Sequence, residues 1–155
     1  NPNIHPLAEY DNRKAALESL VGEQEKHNLK ITKESVIFED YNPEEFFQSI
    51  NLKEDKPQRC AACWYLRLLK TARRARENGF DYFTSTLLVS PYQDQNVLEG
   101  LGSKIAEEEN IKFYYEDFRS GFRQAHTYAK EKGIYCQKYC GCIYSEIERA
   151  KAKSH

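Results

Sequence analysis

Cysteine carries the most reactive chemistry in this chain, at Cys60, Cys63, Cys136, Cys140 and Cys142. Arg59-Cys60-Ala61-Ala62-Cys63 sets two thiols three residues apart where a helix is expected to start. Both sulfurs can then reach one metal, and the exposed N–H groups and dipole of a helix start favour thiolate. Tyr139-Cys140-Gly141-Cys142 is tighter, and its glycine lets the backbone turn until both sulfurs face one point. Three chemistries fit these pairs: a structural zinc site of four cysteines, part of an iron–sulfur cluster, or a redox dithiol. The plain alternative is a set of buried, inert thiols. Two close pairs in a chain expected to reside in a reducing compartment argue against that alternative, because such spacing there usually means metal or redox chemistry. Spacing alone does not separate zinc from iron–sulfur. Cys136 stands apart from both pairs and reads as a packing residue.

The elements that must position these groups follow from the pattern of apolar residues. Asn1 to Pro6, NPNIHP, is a loop by its prolines and asparagines. Helical spacing runs from Leu7 to about Gly22, and Pro43-Glu44-Glu45 opens a short helix. A longer helix is expected from about Ala61 to Asn78, stopped by Gly79, with others over Asn96–Glu109, Gly121–Lys132 and Ile143–Lys153. Val36-Ile37-Phe38, Tyr82–Val89 and Ile111–Tyr115 read as strands, the second the strongest. Alternation of strand and helix with short connections predicts an α/β class with a mainly parallel sheet flanked by helices. In such sheets chemistry collects in loops beyond the carboxyl ends of the strands. That places Tyr92, Gln93 and Asp94 in one candidate loop and Asp117, Phe118 and Arg119 in another, although each residue taken singly also reads as part of a solvated turn.

The chain of 155 residues fits a single domain over 1–155, with 40% hydrophobic and 30% charged residues, as in soluble globular proteins. No apolar stretch is long enough for a membrane span, so no membrane partner is expected and the expected compartment is the cytoplasm. A net charge of −1 excludes general attraction to nucleic acid and leaves only a local patch for it. The chain contains no methionine, even at its start, which reads as an N-terminal truncation of a longer protein.

Five segments, taken in order, resemble successive blocks of the QueH-type epoxyqueuosine reductases. They are NPNIHP with Glu9-Tyr10, RCAACWYLRL from Arg59, GFDYFTSTLLVSPYQD from Gly79, FYYEDFRSGF from Phe113 and QKYCGCIYSE from Gln137. The resemblance implies a fold similar to the adenine-nucleotide α-hydrolase-like (HUP-type) domains. It also implies an oxidoreductase that removes the epoxide oxygen of epoxyqueuosine at the wobble position of tRNA, giving queuosine without cobalamin. The cofactors it implies are a [4Fe-4S] cluster and an additional iron ion, and the partners are tRNA carrying epoxyqueuosine and an external electron donor. Cys60 and Cys63 match the family's cluster-binding pair. Cys140 and Cys142 match its Cys-Gly-Cys, either as ligands or as a dithiol that relays electrons. The family's opening cysteine-rich turn, which supplies further ligands, is not found in this sequence.

A tRNA substrate needs a basic surface, and Arg67 to Arg76 provides Arg67, Lys70, Arg73, Arg74 and Arg76 with no acid among them. Helical spacing brings these toward one face, fit for phosphates; a solvated helix face is the plain alternative. A modified base must be unstacked and gripped, and Tyr92, Phe118 and Tyr139 flank the candidate loops. Asp94, Asp117 and Tyr92 are equal candidates to deliver a proton to the departing oxygen, ahead of His5 and His126, which read as structural. A different class also fits the cysteines: a non-catalytic zinc-binding module with four cysteine ligands that binds RNA or acts as an adaptor.

Overall fold

The computed structural model describes residues 1–26 and 31–153. Its elements run α1 (Leu7–Lys26), α2 (Glu44–Ile50), α3 (Gln58–Glu77), β1 (Tyr82–Phe83), α4 (Gln95–Glu109), β2 (Lys112–Phe113), α5 (Phe122–Glu131) and α6 (Ile143–Lys153). Short 3-10 turns occupy Lys33–Ser35, Thr86–Val89 and Phe118–Gly121. The result is a helix-rich α/β chain with a small parallel sheet. Among the described residues no helix is long and apolar enough to cross a membrane.

The chain divides into two compact units, one of residues 45–125 and one of residues 1–44 with 126–155. In the first, α3 and α4 flank β1 and β2. The strands pair in parallel, with Tyr82 opposite Lys112 and Phe83 opposite Phe113. The core is built from Leu68 and Ala72 of α3, Phe83, Leu87 and Leu88, Leu98 and Ile105 of α4, and Ile111. Both helices are sharply bounded. Asp94 caps α4 by accepting from the Val97 N–H (3.2 Å), and Asn110 ends it in the left-handed conformation. Asn78 closes α3 through its side chain on the Arg74 carbonyl (2.7 Å). Gly102 lets α4 lie directly on β2: a Cβ there would stand 2.1 Å from the Phe113 ring.

Three strand expectations are corrected. Val36–Phe38 forms no strand; Ile37 and Phe38 are exposed, and Lys14 lies over the Phe38 ring at 4.9 Å. Of Tyr82–Val89 only the first two residues are strand. The Ser85 hydroxyl accepts from the Leu87 N–H (3.2 Å) and starts a 3-10 turn instead. The consecutive residues Leu87 and Leu88 are then both buried, which a strand with one solvated face would not allow. Ile111–Tyr115 shortens to Lys112–Phe113. Among the described residues the sheet therefore has two strands. The helices lie close to their expected positions, with α1 running on to Lys26.

Candidate functional site

The Cys-Gly-Cys segment sits in a cradle built by the start of the chain. The backbone N–H of His5 donates to the Gly141 carbonyl (2.8 Å). Arg13, on α1, donates from one Nη to the Cys140 carbonyl (3.1 Å) and from the other to the Tyr139 carbonyl (2.8 Å). The Asn3 side chain, almost fully buried, adds a longer bond to the Cys140 carbonyl (3.4 Å). The Tyr139 hydroxyl returns a bond to the His5 carbonyl. Arg13 is itself fixed: Glu9 takes its Nε at 2.8 Å, and the Tyr135 hydroxyl donates to the other Glu9 oxygen at 2.6 Å. The guanidinium also lies 5.5 Å from the Tyr139 ring centre, near enough for cation–π attraction. Burial pushes the Tyr139 phenol up to about 12, so it remains a donor at neutral pH.

Within this cradle Gly141 has φ +112°. A Cβ there would meet Arg13 and Ile4 at 3.1 Å and Asn3 at 3.2 Å, so the residue is glycine for both backbone and space. The neighbouring Cys140 thiol, followed by burial, pushes the Cys142 thiol up. Cys140 is exposed and its Sγ reaches the Ser145 hydroxyl (3.0 Å), whereas Cys142 is buried and accepts from the Ser145 N–H at 3.3 Å. The pair thus presents one accessible and one shielded sulfur at the start of α6, the arrangement a dithiol needs for thiol–disulfide chemistry.

In the other unit, Cys60 and Cys63 fall in the first turns of α3, Cys60 half-buried and Cys63 buried. Two thiols of this kind fit two positions of a metal centre. Within neither unit, among the described residues, does a group of three or more His, Cys, Asp or Glu side chains gather as a ligand set, so the residues present do not make up a whole four-iron site. Cys136 is half-buried and its thiol donates to the Ile134 carbonyl (3.5 Å).

The loop candidates separate by what holds them. One oxygen of Asp94 is engaged in capping α4. Asp117 grips Arg119 at 2.8 and 2.5 Å and accepts the Arg119 N–H at 3.1 Å. These bonds hold its carboxyl down at about 2. Tyr92 is 82% exposed, its ring edge-on to Phe122 at 6.1 Å. Phe118 starts the 3-10 turn after Asp117. His126 is exposed on α5. His5 is buried, with Nδ1 3.3 Å from the Tyr41 hydroxyl, and burial lowers its pKa.

The basic run on α3 is largely paired within its own unit. Lys70 meets Glu45 at 2.6 Å, and Arg73 and Arg76 both meet Glu109 at 2.7 Å. Arg74 makes a looser pair with Glu77 at 3.7 Å, and Arg67 lies on the same helix. Much of this positive charge is therefore taken up by intramolecular carboxylates.

Asn3, Glu9, Arg13 and Tyr135 escaped sequence reasoning as site residues. Arg13 and Cys140 are 127 positions apart, and no local pattern links them. The one available hint was that NPNIHP and Cys-Gly-Cys both stood out as distinctive blocks.

A family model described as epoxyqueuosine reductase QueH matches residues 1–148. The chain is similar to the epoxyqueuosine reductase QueH of Thermotoga maritima, 33% identical over 96% of this chain and 78% of that one. It is similar also to those of Dehalococcoides mccartyi (34%; 96% and 77%) and Streptococcus pyogenes (35%; 94% and 58%).

Proposed function

This chain belongs to the QueH family of epoxyqueuosine reductases, and from that premise we propose that it reduces epoxyqueuosine to queuosine at the wobble position of tRNA, drawing electrons through the Cys140–Cys142 pair. The observation that carries the electron route is the cradled thiol pair, with one sulfur exposed, one buried, and both bonded to Ser145. The reading of the pair as a dithiol is supported by its unequal exposure, one sulfur open to exchange and the other shielded.

The balance of the reaction suits a dithiol. Removing an epoxide oxygen to leave a carbon–carbon double bond takes two electrons and two protons and releases water. Oxidising two thiols to a disulfide supplies both electrons and both protons. An external reductant then delivers two electrons and two protons to the disulfide, is itself oxidised, and so restores the dithiol. Tyr92, Asp94 and Asp117 remain the candidate acids for the leaving oxygen, with Asp117 engaged by Arg119 and one oxygen of Asp94 engaged in capping α4.

Cys60 and Cys63 are assigned as two ligands of an iron–sulfur centre with a nearby iron, a centre that when bound would supply one-electron redox chemistry. The tRNA is met through the α3 face that carries Arg67, Lys70, Arg73, Arg74 and Arg76. There Lys70, Arg73 and Arg76 must exchange their close carboxylates for phosphates as the tRNA docks. The fold is of the adenine-nucleotide α-hydrolase-like kind, a reading supported by parallel strands joined through α4. The compartment is the cytoplasm, where tRNA and a thiol-reducing poise coincide. The zinc-module reading gives way, since the relatives are named as reductases. The test is to incubate the protein with epoxyqueuosine-containing tRNA and a reductant under anaerobic conditions, then digest and weigh the nucleosides. A product lighter by one oxygen supports the reading; unchanged epoxyqueuosine in the presence of loaded, folded protein overturns it.

A further inference from the structure

The Cys-Gly-Cys segment has no regular secondary structure of its own, so the direction of its two thiols depends on what holds its carbonyls together with the bonds Ser145 makes to both sulfurs. Three bonds to the carbonyls of Tyr139 and Cys140 come from side chains, and two of them come from one guanidinium. A planar fork delivers two N–H groups at fixed separation, which a lysine ammonium does not. The guanidinium is not free to wander: Glu9 takes its Nε, and Tyr135 takes the far oxygen of Glu9. Glu9 is buried and the Arg13 side chain largely so, and the bonds of the relay are part-buried, with only the one to the Cys140 carbonyl exposed. The same guanidinium is among the nearest atoms to the space beside Gly141.

We propose that Arg13 is the positioning residue for the Cys140–Cys142 thiols, and that the relay Tyr135–Glu9–Arg13 sets how readily the pair closes to a disulfide. This rests on the reading of the pair as the electron source, but the positioning itself can be measured without turnover. In a glutathione mixture the protein dithiol and glutathione disulfide exchange to give the protein disulfide and two glutathiones. Two sulfur–hydrogen bonds are lost on the protein and two are gained on glutathione, so the equilibrium balances in atoms and electrons. A loop held with its sulfurs together and a loop released from its hold differ in that equilibrium.

The experiment uses the full chain as wild type, Arg13→Lys, Arg13→Gln and Tyr135→Phe. Each is equilibrated in glutathione buffers and trapped by alkylation. The peptide holding Cys140 and Cys142 is then scored by mass, with circular dichroism checking the fold. Arg13→Gln is expected to move the equilibrium constant about tenfold and to lower kcat on the order of a hundredfold while KM for tRNA stays put. Arg13→Lys should fall between, and Tyr135→Phe should give a smaller change of the same sign. Should Arg13→Gln fail to fold, Arg13→Lys and Tyr135→Phe carry the decision. Folded variants whose thiol equilibrium matches wild type would overturn the proposal, whatever their melting temperatures. A shifted equilibrium with unchanged turnover would uphold Arg13 as positioning residue and refute the thiol pair as the electron source.

Discussion

Replacing Gly141 with alanine tests the cradle at its tightest point. Its φ of +112° lies where L side chains are rarely found, and holding a non-glycine residue in such a region costs about 1–3 kcal/mol. The new methyl would also stand 3.1 Å from Ile4 and Arg13 and 3.2 Å from Asn3. Arg13 is long enough to yield, but Ile4 and Asn3 are buried at 3% and 1% exposure and have little room to move. Crowding a packed site adds a share of the about 1–3 kcal/mol typical of overpacking. Against an overall stability of about 5–15 kcal/mol for a domain, the loss should be plain in a urea unfolding curve. The matched control is Gly100→Ala in α4, where no atom lies within 4 Å of the added Cβ and the same change should stabilise by roughly 0.5–1 kcal/mol. Opposite shifts in the two midpoints are expected. A Gly141→Ala midpoint equal to or above wild type would refute the account of how this loop is held.

Other expectations follow from the same geometry. Asp117 has its pKa lowered from 3.8 to about 2 by Arg119, so the hold on this loop is complete above the unfolded value and is lost as pH falls through about 2. A carboxyl NMR titration should show that midpoint, and Arg119→Gln should return it toward 3.8; an unmoved midpoint in the variant would contradict the assignment. Arg76→Ala should lower the melting temperature more than Arg74→Ala, because Glu109 is buried and loses one of its two partners, whereas the exposed Arg74–Glu77 pair is worth about 0–1 kcal/mol. Equal melting temperatures would count against it. Cys60→Ser and Cys63→Ser should strip iron and broad visible absorbance from anaerobically purified protein, and Cys136→Ser should not; iron retained in both of the first two would remove them as ligands.

The helices were readable because their signals are local. The α4 helix carries its cap at Asp94, its buried stripe at Leu98, Ile105 and Glu109, and its stop at Asn110 within one stretch of sequence. The cysteine pairs were readable for the same reason. The strands were not, because β-branched and aromatic composition at Val36–Phe38 and Tyr82–Val89 does not say whether a partner strand exists. A single serine hydroxyl, Ser85, was enough to turn the second segment into a 3-10 turn. The cradle was the least legible feature. Arg13 looked like any charged residue on a polar helix, and its partners are carbonyls, which every residue possesses. The basic run on α3 was legible only in part. Its charges were legible, but the carboxylates that take them up, Glu45 and Glu109, come from elsewhere in the fold.

The central claim is that the Cys140–Cys142 pair carries the two electrons of epoxide removal. Its most direct test is a single turnover with no reductant in solution. Fully reduced protein is mixed anaerobically with an equal amount of epoxyqueuosine tRNA, the reaction is quenched by alkylation, and queuosine and the Cys140–Cys142 peptide are weighed together. The account predicts one disulfide in that peptide for each queuosine formed, and no product from Cys140→Ser. Queuosine formed while both thiols remain alkylatable would contradict it.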